Sequence, residues 1–102
     1  MKHAIARLRW LDSASGGRTK PVTGLRYMSP VQLDDEAEEA WTLVVHRSRE
    51  EPRQEETVLV HFLMGDAPHE RLEAETVFRL TEGPRVVAEG KVSETFELSA
   101  AA

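Results

Sequence analysis

The sequence predicts an all-β domain, a small antiparallel barrel or sandwich of six strands. Three observations predict it. Apolar residues recur at every second position in six separate stretches. Polar, glycine- or proline-bearing breaks separate those stretches at fairly even intervals, and no stretch of helical length carries a three-to-four-residue apolar spacing. A chain of 102 residues with 40% hydrophobic and 30% charged residues suits one domain, expected over residues 1–98, with residues 99–102 as a disordered tail.

The first strand is read from Ala4, Ala6, Leu8 and Trp10, which alternate with Ile5, Arg7 and Arg9. Leu25, Tyr27, Val31 and Leu33 share one parity in the second, where Pro30 argues for an edge or a bulge because proline cannot donate to a ladder. Trp41, Leu43 and Val45 define the third strand, followed by His46 and Arg47. The most apolar stretch, Thr57 to Met64, sets Val58, Val60, Phe62 and Met64 on one face. Thr76, Phe78 and Leu80 lead to a turn at Glu82, and Val86, Ala88, Gly90 and Val92 leave it with Val87, Glu89 and Lys91 opposite. Phe96 and Leu98 extend or cap this last strand.

Two glycine turns stand out. Gly83-Pro84, between Glu82 and Arg85, predicts a two-residue type II′ hairpin, because glycine takes the positive φ of the first central position and proline the negative φ of the second. Gly16-Gly17 is expected to turn the first strand into the second in the same way. Gly90, inside a strand, is expected to mark a bulge, a bend or a close approach. His69 to Glu75 is expected to form a turn, Ser48 to Glu56 a long charged loop, and the acidic cluster Asp34-Asp35-Glu36 with Glu38-Glu39 a solvated loop.

Several function classes are set aside at this level. The chain has no cysteine, so thiol catalysis and thiolate metal sites are out. It has no phosphate loop for a nucleotide and no Gly-x-Ser-x-Gly elbow. His3, His46, His61 and His69 lack metal-ligand spacing, and no metal or cofactor is expected. No apolar run approaches the roughly 20 residues of a membrane helix. With no signal-like start, the expected location is the cytoplasm. A net charge of −5 opposes a broad grip on nucleic acid. Trp10 and Trp41 are read as core or barrel-end residues.

Two motifs carry a family resemblance. Gly16, Gly17, Arg18, Pro21, Gly24 and Arg26, with one residue fewer in the loop, and later Glu82, Gly83, Arg85, Val87, Gly90 and Val92, without gaps, resemble in order and at nearly the right separation the C-terminal β-barrel domain, domain 3, of elongation factor Tu. The matched blocks lie at both ends and cover about a third of the chain. Leu25 replaces the family's tyrosine, Thr19 its histidine, and Pro84 its second turn glycine, which removes a backbone donor. The resemblance implies a six-stranded antiparallel barrel without the GTPase that precedes it in the parent. It also implies that Arg18, Glu82 and Gly83 take the places that touch the T-stem backbone of tRNA. Arg18 and Arg85 equally suit pairing with Glu82.

The expected function is therefore a non-catalytic binding module acting through protein–protein contact, with a link to translation. The alternative is an RNA- or tRNA-binding module, which requires Arg7, Arg9, Arg18, Lys20 and Arg26 to form one patch. An enzyme would require a deep pocket lined by His61 and a carboxylate.

Overall fold

The computed structural model describes residues 1–33 and 41–98. The acidic cluster at 34–39 and the expected tail at 99–102 lie outside the described residues. Six strands, β1 (Lys2–Trp10), β2 (Arg26–Leu33), β3 (Trp41–His46), β4 (Glu55–Phe62), β5 (Val77–Glu82) and β6 (Arg85–Glu97), close into an antiparallel barrel in the order β1-β4-β3-β2-β5-β6. Strands β2, β3 and β4 follow one another around the wall, and β1 returns beside β4, which is Greek-key order. The predicted all-β six-stranded barrel is the observed fold.

Alternation explains the core. Ala4, Ala6 and Leu8 of β1 are fully buried, as are Leu43 and Val45 of β3 and Val60 and Phe62 of β4. Phe78 and Leu80 of β5 complete the interior with Ala88 and Val92 of β6. Two bulges bend β6 around the barrel. One lies opposite Leu80/Thr81, the other opposite Ile5/Ala6. The first corrects an expectation. Val86, read as inward, is only half-buried, and Val87, read as outward, is fully buried, because the bulge inserts one residue and reverses the parity at the start of β6.

The Glu82↔Arg85 pair closes the predicted two-residue hairpin, with Gly83 at φ +61°. The expected β1–β2 hairpin at Gly16-Gly17 is not formed. β1 pairs with β4 and β6, and Gly16-Gly17 belongs to a long connection, residues 11–25, that crosses the upper end of the barrel after a 3-10 turn at Ser13–Ser15. There Gly16 has φ +82°, and Gly17 is needed for space, since a Cβ would overlap the Leu11 carbonyl. Gly90 lies beneath the Phe78 ring, which fills the volume a side chain would take. The other long connection, residues 63–76, crosses the lower end and contains the expected turn as a 3-10 turn at His69–Arg71. The charged stretch also starts β4 earlier than expected: Glu55 and Glu56 are strand residues. Met64, read as continuing the inward face of β4, lies beyond its end and is exposed.

Candidate functional site

The upper end of the barrel is where the glycine motifs meet. Leu11 donates its N–H to the Val87 carbonyl exposed by the bulge (2.9 Å), Gly17 to Asp12 (2.7 Å), and Arg18 to Leu11 (3.1 Å). These bonds set Arg18 beside the β5–β6 turn. Its Nε donates to the Lys20 carbonyl (2.8 Å) and its Nη1 pairs with Glu82. The Tyr27 hydroxyl donates to the same Glu82 oxygen, and the guanidinium lies 5.8 Å from the Tyr27 ring centroid. The Tyr27 pKa is pushed up to about 12, first by burial and then by the Glu82 carboxylate. The phenol therefore stays a donor at neutral pH. Arg85 donates to the Gly17 carbonyl (3.3 Å), tying the two motifs together. Arg18, Glu82 and Gly83 are thus brought to one end, with the arginine already paired.

A buried network holds the rest of this end. Arg47, just past β3, is fully buried at its side chain and donates through Nε to Glu56 (2.7 Å). Its Nη1 donates to the carbonyls of Val22 (3.0 Å) and Gly24 (2.9 Å), and its Nη2 to that of Glu51 (2.8 Å). The Trp10 indole donates to the same Glu56 oxygen (2.6 Å), and its ring meets Tyr27 edge-on. One guanidinium therefore fastens both upper loops to the wall. The alternation carried a signal for this pair: Arg47 shares the inward parity of Leu43 and Val45, and Glu56 that of Val58 and Val60. Each is a charge at a position whose parity is inward, and the two charges are opposite in sign, as a buried pair requires.

Between these loops lies a cavity of about 290 Å³. Trp10, Leu11, Pro21, Val22 and Pro52 supply apolar walls, and Arg18, Lys20 and Arg53 are its cationic members. The four arginines and one lysine of a single basic patch do not come together. β1 and β2 are diametrically opposite in the barrel order, so Arg7 and Arg9 face away from Arg26. Arg9 is moreover paired with Glu89.

A second cluster was not legible. His3, His46 and His61 lie on adjacent strands β1, β3 and β4 of the outer wall. His46 and His61 have their Nε2 atoms 2.9 Å apart, and the His3 and His61 ring centroids are 4.5 Å apart. Burial is the main cause that lowers both the His46 and His61 pKa values, aided for His46 by the charges of His61, Arg26 and His3, and for His61 opposed by a bond to the Phe62 carbonyl and aided by His3, Arg26 and His69. Their meeting depends on strand order and register, which sequence spacing does not encode. Among the described residues, no group of three or more His, Asp or Glu is placed to hold a metal ion.

Compared with protein-family models, with curated proteins and with solved structures, the chain finds no match.

Proposed function

We propose that the chain is a non-catalytic binding module, built on a barrel of the elongation factor Tu domain 3 type and acting through protein–protein contact in a translation setting. The cavity at the upper end carries this reading. Its tryptophan, leucine, valine and prolines suit an apolar side chain of a partner segment. Exposed Lys20 and Arg53 at its margin suit acidic residues flanking that side chain. Asp12 also lines the cavity and Glu82 already meets Arg18, so the attraction for an acidic segment rests on Lys20 and Arg53.

One observation favours RNA as a second reading: Arg18, Glu82 and Gly83 stand together at the same end, as the resemblance requires. Against it, the Arg18 charge is met by Glu82, Pro84 offers no backbone donor, and the remaining arginines are divided between opposite walls.

Capture of partners from cell lysate, with and without nuclease, tests the two readings. Protein capture that survives nuclease and is lost with Lys20→Glu/Arg53→Glu supports the first. Direct tRNA binding by wild type and Arg18→Ala, measured at two salt concentrations, tests the second. Submicromolar, salt-sensitive binding that weakens in Arg18→Ala would replace the protein reading with the RNA one.

A further inference from the structure

The wall histidines are independent of the upper-end cavity and point to a different ligand. We propose that His46 and His61 form a two-imidazole site for a divalent transition metal that offers two adjacent coordination positions, Cu(II) being the best match.

The first argument is spacing. The Nε2 atoms are 2.9 Å apart. Two imidazole nitrogens at metal–nitrogen distances of about 2.0–2.1 Å subtend about 90° across that separation. A tetrahedral ion such as Zn(II) would need them roughly 0.4 Å farther apart. Right-angled positions are those of the tetragonal and square-planar ions, Cu(II) and Ni(II), and Cu(II) heads the affinity order for nitrogen ligands.

The second argument is the tautomer. His61 has its Nδ1 3.0 Å from the Phe62 carbonyl, an acceptor only, so Nδ1 carries the proton and Nε2 keeps its lone pair. His46 then donates Nε2–H to it in the metal-free protein. A ring nitrogen whose partner nitrogen donates to a backbone carbonyl is the arrangement that metal-ligating histidines use, because it orients the ring and raises the ligand's basicity. His3 repeats the pattern, with Nδ1 3.0 Å from the Met1 carbonyl, and flanks the pair as a third imidazole.

The third argument is rigidity. Val44↔His61 and Val45↔Val60 fix the two strands against each other, and the rings stack with their centroids 5.0 Å apart. On binding, His46 changes tautomer, its Nε2 giving up the proton to solvent while Nδ1 takes one up, and each ring turns in place about its broad terminal torsion, keeping the Nε2 atoms near their 2.9 Å separation while both lone pairs turn to the ion. Arg26, opposite His46 in the β2–β3 register, repels a cation, and its exposure to water screens that repulsion.

The probe is Cu(II) capped by iminodiacetate, which occupies three positions and leaves two adjacent ones. It is titrated into the full chain carrying His3→Gln, so that the pair alone is read. One equivalent should bind, with an electron paramagnetic resonance spectrum showing coupling to two imidazole nitrogens. His46→Gln and His61→Gln should each weaken binding by about tenfold or more. Thermal melts without metal establish that each variant folds. If one does not fold, the His3→Gln spectrum decides alone: two imidazole nitrogens support the site, and one or none overturns it. Binding of equal strength in either folded variant, or no saturable binding at all, also overturns it.

Discussion

The two ends of the barrel are closed by opposite chemistry. At the upper end Arg47 and Glu56 are buried as an ion pair, and three more guanidinium hydrogens meet three loop carbonyls. At the lower end the crossing loop inserts Ala67 and Leu72, both buried, and Phe62 meets the His69 ring edge-on. That loop is also sewn to β6 by Glu75 N–H to Val92 O and Val92 N–H to Thr76 O, both 2.9 Å. An apolar plug contributes burial without direction. A guanidinium with its donors in a fixed fork dictates where each loop runs. Among the described residues, the end with the ion pair holds the cavity described above, and it is also the end most exposed to a single deletion.

The largest effect is expected there. Arg47→Ala leaves the Glu56 carboxylate buried without its cation, beside the Trp10 indole alone, and strands the carbonyls of Val22, Gly24 and Glu51. We expect a loss of about 3–5 kcal/mol. For a domain of this size each kcal/mol lowers Tm by about 4–8 °C. Arg47→Met combined with Glu56→Leu should recover most of that loss, since apolar replacement of both partners removes the desolvation penalty as well as the attraction. Urea denaturation of the single and double variants checks this. A single variant within about 1 kcal/mol of wild type would mean that the ion pair does not close the upper end.

Leu72→Ala addresses the other end. Removing a fully buried leucine should destabilise by about 2–5 kcal/mol. The loss should be the same at low and high salt, because no charge is involved. A salt-dependent loss would show that the lower loop depends on its ion pairs, such as Lys91 with Glu75, more than on its apolar plug.

The ends also differ in how far the sequence disclosed them. Period-two alternation marks the face of each residue, so Ala4 to Trp10 and Val58 to Phe62 were readable as inward. Alternation is silent about partners. Nothing local distinguishes a Gly16-Gly17 that turns β1 back onto β2 from one that carries the chain across the barrel, so the predicted hairpin failed there while Gly83-Pro84, with two residues between paired ends, held. A bulge is equally silent, and it exchanged the faces of Val86 and Val87. Arg18 beside Glu82 was open to reading through the two motifs. The His46–His61 pair was not, because it exists only once β3 and β4 are in register. Arg47 and Glu56 were visible as parity violations, but a charged residue at a strand end is ordinarily solvated.

A smaller effect separates turn geometry from closure. A Cβ at Gly83 meets nothing within 4 Å, so the penalty of Gly83→Val comes chiefly from the positive φ of +61°. About 1–2 kcal/mol is expected. Gly17→Ala has the reverse character, since the added Cβ overlaps the Leu11 carbonyl and must push the upper connection off the wall. Measured melting temperatures should therefore fall for both, but only Gly17→Ala should also disturb Trp10 fluorescence. Equal spectra would mean that the upper connection is not seated as tightly as Gly17 implies.

The smallest effect is expected on the wall between the ends, where charge changes without touching either closure. The His46 and His61 pKa values lie below the ordinary 6.5 in the folded chain, chiefly through burial, and Arg26, His3 and, for His61, His69 face them as further cations. Unfolding restores the ordinary value. As pH falls through 6.5 the unfolded chain takes up these protons before the folded one does. Their contribution to stability is thus whole above that pH and is lost progressively as pH falls toward the lowered folded values. Tm should decline from about pH 7 to 5 in wild type and decline less in His61→Gln, which has no proton to take up at that position. Both ends should remain closed through this window, so near-ultraviolet circular dichroism from Trp10 should hold steady while Tm falls. An identical slope in His61→Gln would show that the imidazole pair does not couple to folding. Loss of the Trp10 signal in the same window would show instead that the upper closure is what acid undoes.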